Sequence, residues 1–116
     1  AVLGYCLGGL LSFLSGCQLD IDAAVAYYGV GIEKNLQNKN MIRKPIMMHF
    51  AENDSFVPAK TIKELQETFA NNNLVSLHNY SGCDHGFART GGANYDRGAA
   101  EISDTRTLAL LKKSLL

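Results

Sequence analysis

Gly4-Tyr5-Cys6-Leu7-Gly8-Gly9 follows the apolar run Ala1-Val2-Leu3 and precedes Leu10-Leu11-Ser12-Phe13-Leu14. That is the sequence form of a nucleophile elbow, a sharp strand-to-helix turn with a reactive side chain at its apex. Crowding of the backbone at such a turn demands small flanking residues, which Gly4 and Gly8 supply. The Cys6 thiol is then presented at a helix N-terminus, where free N–H groups and the helix dipole favour thiolate. The N–H of Leu7 points to where an acyl oxyanion would form. The alternative is a tight strand-to-helix turn in which Cys6 is merely a small buried hydrophobe.

The order of the downstream residues favours the elbow, which requires an acid and then a histidine later in the chain. Pro45-Ile46-Met47-Met48-His49-Phe50 reads as a buried strand that runs into a polar turn, placing Asp54 just past its carboxyl end. Leu74-Val75-Ser76-Leu77-His78-Asn79-Tyr80 alternates like a strand, and the loop after it carries His85. Cysteine, aspartate and histidine thus all come after strand ends, where open parallel α/β sheets hold their chemistry.

With these residues in place the chain resembles the dienelactone hydrolases (carboxymethylenebutenolidases) of the α/β-hydrolase superfamily. The resemblance rests on the elbow string, on Ala26-Tyr27-Tyr28-Gly29-Val30-Gly31, on Asp54-Ser55-Phe56-Val57-Pro58 and on His85-Gly86-Phe87-Ala88-Arg89-Thr90. It implies a Cys6–His85–Asp54 triad, a pocket lined by Tyr28, and Arg89 pairing with a substrate carboxylate. A guanidinium fork matches a carboxylate in two bonds, so Arg89 would separate lactone hydrolysis from general esterase action. By the same resemblance, residues 1–116 are expected to form the carboxyl-terminal half of an α/β-hydrolase domain. The strands preceding the elbow in complete members would lie outside them. With those strands would go a second oxyanion-hole N–H, a glutamate that contacts the resting cysteine and a second carboxylate-binding arginine.

Composition narrows the remaining possibilities. The 116 residues suit one domain at most, with 47% hydrophobic residues for a core. Eleven basic residues balance eleven acidic ones with no basic block, which gives no electrostatic support for nucleic-acid or membrane-surface binding. No apolar run approaches the roughly 18 residues of a spanning helix, and the apolar start lacks a basic flank and a cleavage site. A soluble, cytoplasmic protein is expected. Three cysteines, one of them placed as nucleophile, fit a reducing compartment, with Cys17 and Cys83 as free thiols. Cys83 and His85 form a single C-x-H pair, short of a metal site, and no cofactor is implied.

The periodicity predicts about four parallel strands with flanking helices. Strand Ala1 to Tyr5 feeds a helix from Leu7 to about Ser15 whose packed face is Leu7, Leu10, Leu11 and Leu14. A short strand Ala23 to Tyr27 precedes a polar, irregular stretch from Gly29 to Lys44. After the strand ending near Phe50, Pro58 introduces a helix to about Ala70 with Ile62, Leu65 and Phe69 inward. The last strand ends at Tyr80, and a final helix from about Tyr95 presents Leu108, Leu111 and Leu115 inward. Phe56 and Phe87 read as pocket-wall residues. The expected function is hydrolysis of a carboxylate-bearing lactone or ester through a thioester. A general carboxylesterase or thioesterase, and an inert half-domain that self-associates through the open edge of Ala1 to Tyr5, remain as alternatives.

Overall fold

Six consecutive buried residues make up β3 (Ile46–Ala51), a pattern that suits a strand paired on both edges and covered on both faces. It lies between β2 (Ala24–Tyr27) and β4 (Val75–Tyr80), with β1 (Val2–Tyr5) beyond β2, so that the sheet order is β1-β2-β3-β4. All three pairings are parallel, as the alternation of strands and helices predicts. The structure is a computed structural model and describes residues 1–116.

The pleat sorts the strand residues to two cores. Ala24, Ala26, Ile46, Met48 and Phe50 face α1 (Leu7–Gln18) and α2 (Ala59–Phe69), where they meet Phe13, Cys17, Ile62, Leu65 and Phe69. Val25, Tyr27, Met47 and Ala51 point to the other face, covered by Phe87 and by α3 (Arg97–Leu115). The buried face of α2 is the one its periodicity predicts, Ile62, Leu65 and Phe69. The stretch from Gly29 to Lys44 differs from expectation. Most of it is a 3₁₀ segment, Ile32–Met41, kinked at Asn35 and anchored by buried Ile32 and Ile42.

Two helix faces also differ from the leucine pattern. In α1 the residues against the sheet are Gly9, Ser12, Phe13, Gly16 and Cys17, whereas Leu10 and Leu14 only flank the core and Leu7 is 62% exposed. The helix lies too close to the sheet for leucine. A Cβ on Gly9 would come within 2.7 Å of Gly29 Cα, and the Ser12 hydroxyl sits 2.8 Å from Val25 O. In α3 the inward face is Ala99, Ala100, Ser103 and Thr107 with Leu110 and Leu111 beside it, while Leu108 and Leu115 point to solvent.

The polar face of α3 is explained by what the sheet offers it. Tyr27 and His49 are buried on that face and need partners. A continuous relay supplies them. The Arg106 guanidinium is 3.1 Å from Tyr80 Oη, which lies 2.9 Å from His49 Nδ1. His49 Nε2 is 2.9 Å from Thr107 Oγ1, itself 2.8 Å from Tyr27 Oη, and Tyr27 donates to the Asp104 carboxylate at 2.6 Å. Arginine can only donate and a carboxylate only accept, so the proton direction is set from both ends. Tyr80 donates to Nδ1, Nε2–H donates to Thr107, and Thr107 donates to Tyr27, with His49 neutral.

Burial, followed by the charges of His78 and Arg106, pushes His49 down to about 3. Its neutral form is therefore favoured in the folded state, while the unfolded chain takes up a proton near pH 6.5. That contribution to stability is present above about pH 6.5 and is lost as the pH falls from there toward 3. Acidification in this window should lower stability by up to about 1.4 kcal/mol per pH unit through this one group. His49→Gln should flatten the slope. Urea midpoints measured from pH 7 to 4 on both proteins test this, and equal slopes would assign the acid sensitivity elsewhere.

Candidate active site

The backbone that presents Cys6 is bent as an elbow requires. Cys6 has φ 59° and ψ −118° at the N-terminus of α1, an uncommon conformation for a residue with a side chain. The preceding turn closes so tightly that a Cβ on Gly4 would sit 2.0 Å from Gly8 O. Four backbone bonds hold the apex: Cys6 N–H donates to Tyr27 O at 3.0 Å, while Cys6 O accepts from Gly9 at 3.0 Å, from Val30 at 3.3 Å and from Leu10 at 3.4 Å. The Leu7 N–H, first in α1, has no acceptor within the chain, so it is free to meet an anion. Cys6 is exposed, whereas Cys17 and Cys83 are buried. Burial pushes the Cys17 thiol up to about 11, and burial together with the Asp96 carboxylate raises Cys83. Those two thiols are accordingly poor nucleophiles.

Asp54 and His85 meet across the carboxyl ends of β3 and β4. Asp54 is buried, and its Oδ2 lies 2.6 Å from His85 Nδ1. Its Oδ1 accepts from the Phe56 N–H at 2.8 Å, so both carboxylate oxygens are engaged. The two loops are laced together besides: Glu52 Oε1 accepts from Gly82 N–H at 3.0 Å, and Asn53 N–H donates to Cys83 O at 2.9 Å. Asn94 Nδ2 donates to the His85 carbonyl at 2.9 Å. The imidazole is flanked by the rings of Tyr28 and Phe56, each with its centroid 4.9 Å away.

A cavity of about 560 Å³ opens between the elbow and the loop after β4. Cys6, Tyr28, His85 and Arg89 all line it, together with Tyr5 and Asn94. Cys6 and His85 share this cavity without a hydrogen bond between them. Arg89 is exposed and pairs with no carboxylate of the chain. Tyr28, with φ 37°, is buried, and burial with the Tyr5 hydroxyl nearby pushes its own hydroxyl up to about 12. It stays protonated near neutral pH. Phe56 and Phe87 do not line the cavity, contrary to expectation. Phe87 is core, packed on Tyr28 and Tyr80, and Phe56 lies on the surface against His85. Spacing does not single out Asn94 or Glu52, because an exposed Asn and a loop Glu carry no periodic signal.

The chain resembles known proteins along nearly its whole length. The sequence profile of the dienelactone hydrolase family matches residues 1–115. The chain is 40% identical over 110 residues to carboxymethylenebutenolidase of Pseudomonas putida, covering 95% of this chain and 47% of that one. It is likewise 40% identical over 111 residues to carboxymethylenebutenolidase 1 of Cupriavidus pinatubonensis, with coverages of 96% and 47%. The chain therefore spans about half the length of the curated relatives it matches. Among solved structures, one from Klebsiella pneumoniae superposes with a TM-score of 0.87 at 22% identity, covering 95% of this chain and 50% of that chain. A dienelactone hydrolase-like promiscuous phosphotriesterase from metagenomic libraries gives 0.77 at 18% identity, with coverages of 97% and 51%. With four parallel strands, flanking helices and a profile match along nearly its whole length, the chain belongs to the dienelactone hydrolase family.

Proposed function

We propose that the protein hydrolyses a carboxylate-bearing lactone or ester through a Cys6–His85–Asp54 triad. The observation that carries this reading is the convergence of Cys6, His85 and Arg89 on one cavity, with His85 held by Asp54 at 2.6 Å. His85 takes the Cys6 proton, and the thiolate attacks the substrate carbonyl to form a tetrahedral oxyanion that the Leu7 N–H receives. Collapse breaks the acyl C–O bond and leaves a thioester on Cys6, while His85 returns the proton to the departing oxygen. In a lactone that oxygen stays tethered, so release requires water, deprotonated by His85, to attack the thioester. Asp54 keeps Nδ1 protonated and stabilises the imidazolium that forms in both halves.

Arg89 supports the carboxylate-bearing substrate class. It is the one cation on a lining otherwise made of tyrosine, thiol, alanine, glycine, amide and imidazole groups, and its fork has no partner of its own. A substrate carboxylate bound there is held at two points, which orients the reacting carbonyl over sulfur. A general carboxylesterase or thioesterase would make no such demand. Residues 1–116 are proposed as one portion of the catalytic domain, with further oxyanion and carboxylate contacts supplied from beyond them. The outer edge of β1 is unpaired and carries exposed Leu3 and Tyr5 beside Leu7 and Leu11. Residues 1–116 by themselves are proposed to associate with a second copy there. A reducing, cytoplasmic setting is proposed from the three free cysteines. No helix of the chain is long and apolar enough to cross a membrane.

Cys6→Ala should abolish ester and lactone hydrolysis while leaving the fold intact, as followed by turnover and circular dichroism; near-normal turnover would remove Cys6 from the role of nucleophile. Arg89→Lys keeps the charge and loses the fork, so kcat/KM for a carboxylate-bearing lactone should fall much further than for nitrophenyl acetate. Equal losses on the two substrates would make Arg89 structural. Expressed alone, residues 1–116 should show negligible hydrolysis: lacking one oxyanion donor costs on the order of a hundredfold to a thousandfold in turnover, and lacking the further carboxylate contacts costs more. Light scattering at several concentrations should show oligomers, and a strictly monomeric 12.6 kDa species would rule out the edge pairing.

A further inference from the structure

Phe56 is 65% exposed, the largest exposure of any aromatic side chain here, yet its ring lies 4.9 Å from that of His85 at an interplanar angle of 54°. Isolated apolar side chains on a surface are ordinary. What distinguishes Phe56 is that both of its interactions go to the same pair of residues. Its N–H holds Asp54 Oδ1 at 2.8 Å, and its ring covers one side of the imidazole whose Nδ1 bonds Asp54 Oδ2. Tyr28 covers another side at the same centroid distance, and the two rings make no contact with each other. Phe56 is absent from the cavity lining, whereas Tyr28 is part of it.

We propose that Phe56 is a positioning residue for His85, acting through its ring from outside the cavity; this rests on the proposed role of His85 as the base. The ring limits the swing of the imidazole about its Nδ1 bond to Asp54, which leaves Nε2 for the cavity that His85 shares with Cys6. At a centroid distance of 4.9 Å the ring is also within the range at which an aromatic attracts the imidazolium that forms during both acyl transfers. Neither effect requires contact with substrate, so neither depends on which ester is bound. The backbone bond to Asp54 survives any side-chain replacement and leaves the acid in place, which isolates the contribution of the ring.

The test uses Phe56→Ala, Phe56→Leu and Phe56→Tyr, with His85→Ala as control. Turnover of a carboxylate-bearing lactone and of nitrophenyl acetate is measured together with the rate of Cys6 alkylation by iodoacetamide. Phe56→Ala should lower kcat about three- to tenfold on both substrates with KM little changed, in line with the strength of one ring–ring contact. Alkylation should slow by a similar factor. Tyr should restore both rates, Leu should not, and the melting temperature should stay near that of the parent because the side chain is mostly exposed. Unchanged rates in Phe56→Ala, a loss confined to one substrate's KM, or rescue by Leu would each overturn the proposal. His85→Ala separates the two readings: if it leaves turnover and alkylation intact, the triad itself fails and Phe56 with it. If it removes both while Phe56→Ala is silent, only the role of Phe56 falls.

Discussion

The relay from Arg106 through Tyr80, His49, Thr107 and Tyr27 to Asp104 is the constraint that fixes α3 on the sheet. Apolar packing there is thin, because the inward face of α3 is mostly alanine, serine and threonine. Small side chains bring the helix close but do not choose its rotation or register. Hydrogen bonds do, since each is lost over a shift of about an ångström and a buried group left without its partner costs roughly 1–3 kcal/mol. The loop carrying His85 runs from β4 to α3, so its far end is positioned by this relay. Its near end is positioned by Asp54 and by the Glu52–Gly82 bond. A histidine in a long loop is thereby held at both ends.

The proposed chemistry sits at the carboxyl edge of the sheet for a related reason. In a parallel sheet all strands end on the same side, and the ends of β1, β3 and β4 deliver Cys6, Asp54 and His85 to that one edge. Tyr28 arrives at the end of the remaining interior strand. The register aligns Tyr5 with Tyr27, Tyr27 with His49, and His49 with His78. Their rings succeed one another across the sheet at 4.7, 4.5 and 5.6 Å. This aromatic rung forms a floor directly beneath the reactive edge, and Tyr5 at its end is also a wall of the cavity. The relay rests on the middle of that floor.

Strand identity and site order are legible in the chain because both are local. Ile46–Ala51 is a short, mostly apolar run; Cys6 and Asp54 each come after such a run, and His85 comes after the alternating segment Val75–Tyr80. Helix orientation is less legible. Leucine spacing in α1 and α3 points to the faces richest in apolar volume, while the sheet accepts the faces with least volume, around Gly9 and Ser12 in one helix and Ser103 and Thr107 in the other. Close approach and polar satisfaction outweigh bulk in both. The relay is invisible in the sequence for a different reason. Tyr27 and Asp104 are 77 positions apart, and His49 and Thr107 are 58 apart, so no window of sequence contains both partners. The same holds for the contact of Phe56 with His85, since it exists only once β3 and β4 lie side by side.

Two residues with side chains have positive φ, Cys6 and Tyr28, and both line the cavity. Conformations of this kind cost on the order of 1–3 kcal/mol each and persist only where the surroundings over-determine them. Here the surroundings are shared. Cys6 N–H bonds Tyr27 O, the Val30 N–H on the far side of Tyr28 bonds Cys6 O, and Tyr28 N–H bonds His49 O at 2.6 Å. The strained residues are thus tied into one backbone circuit that runs from the elbow through β2 to β3, and the side chain of His49 in that circuit is also the centre of the relay. Relaxing the strain at Cys6 would require moving β2, and moving β2 would break the bonds that hold α3. Strain at the reactive edge is therefore held in place by burial on the α3 face of the sheet, with His49 belonging to both.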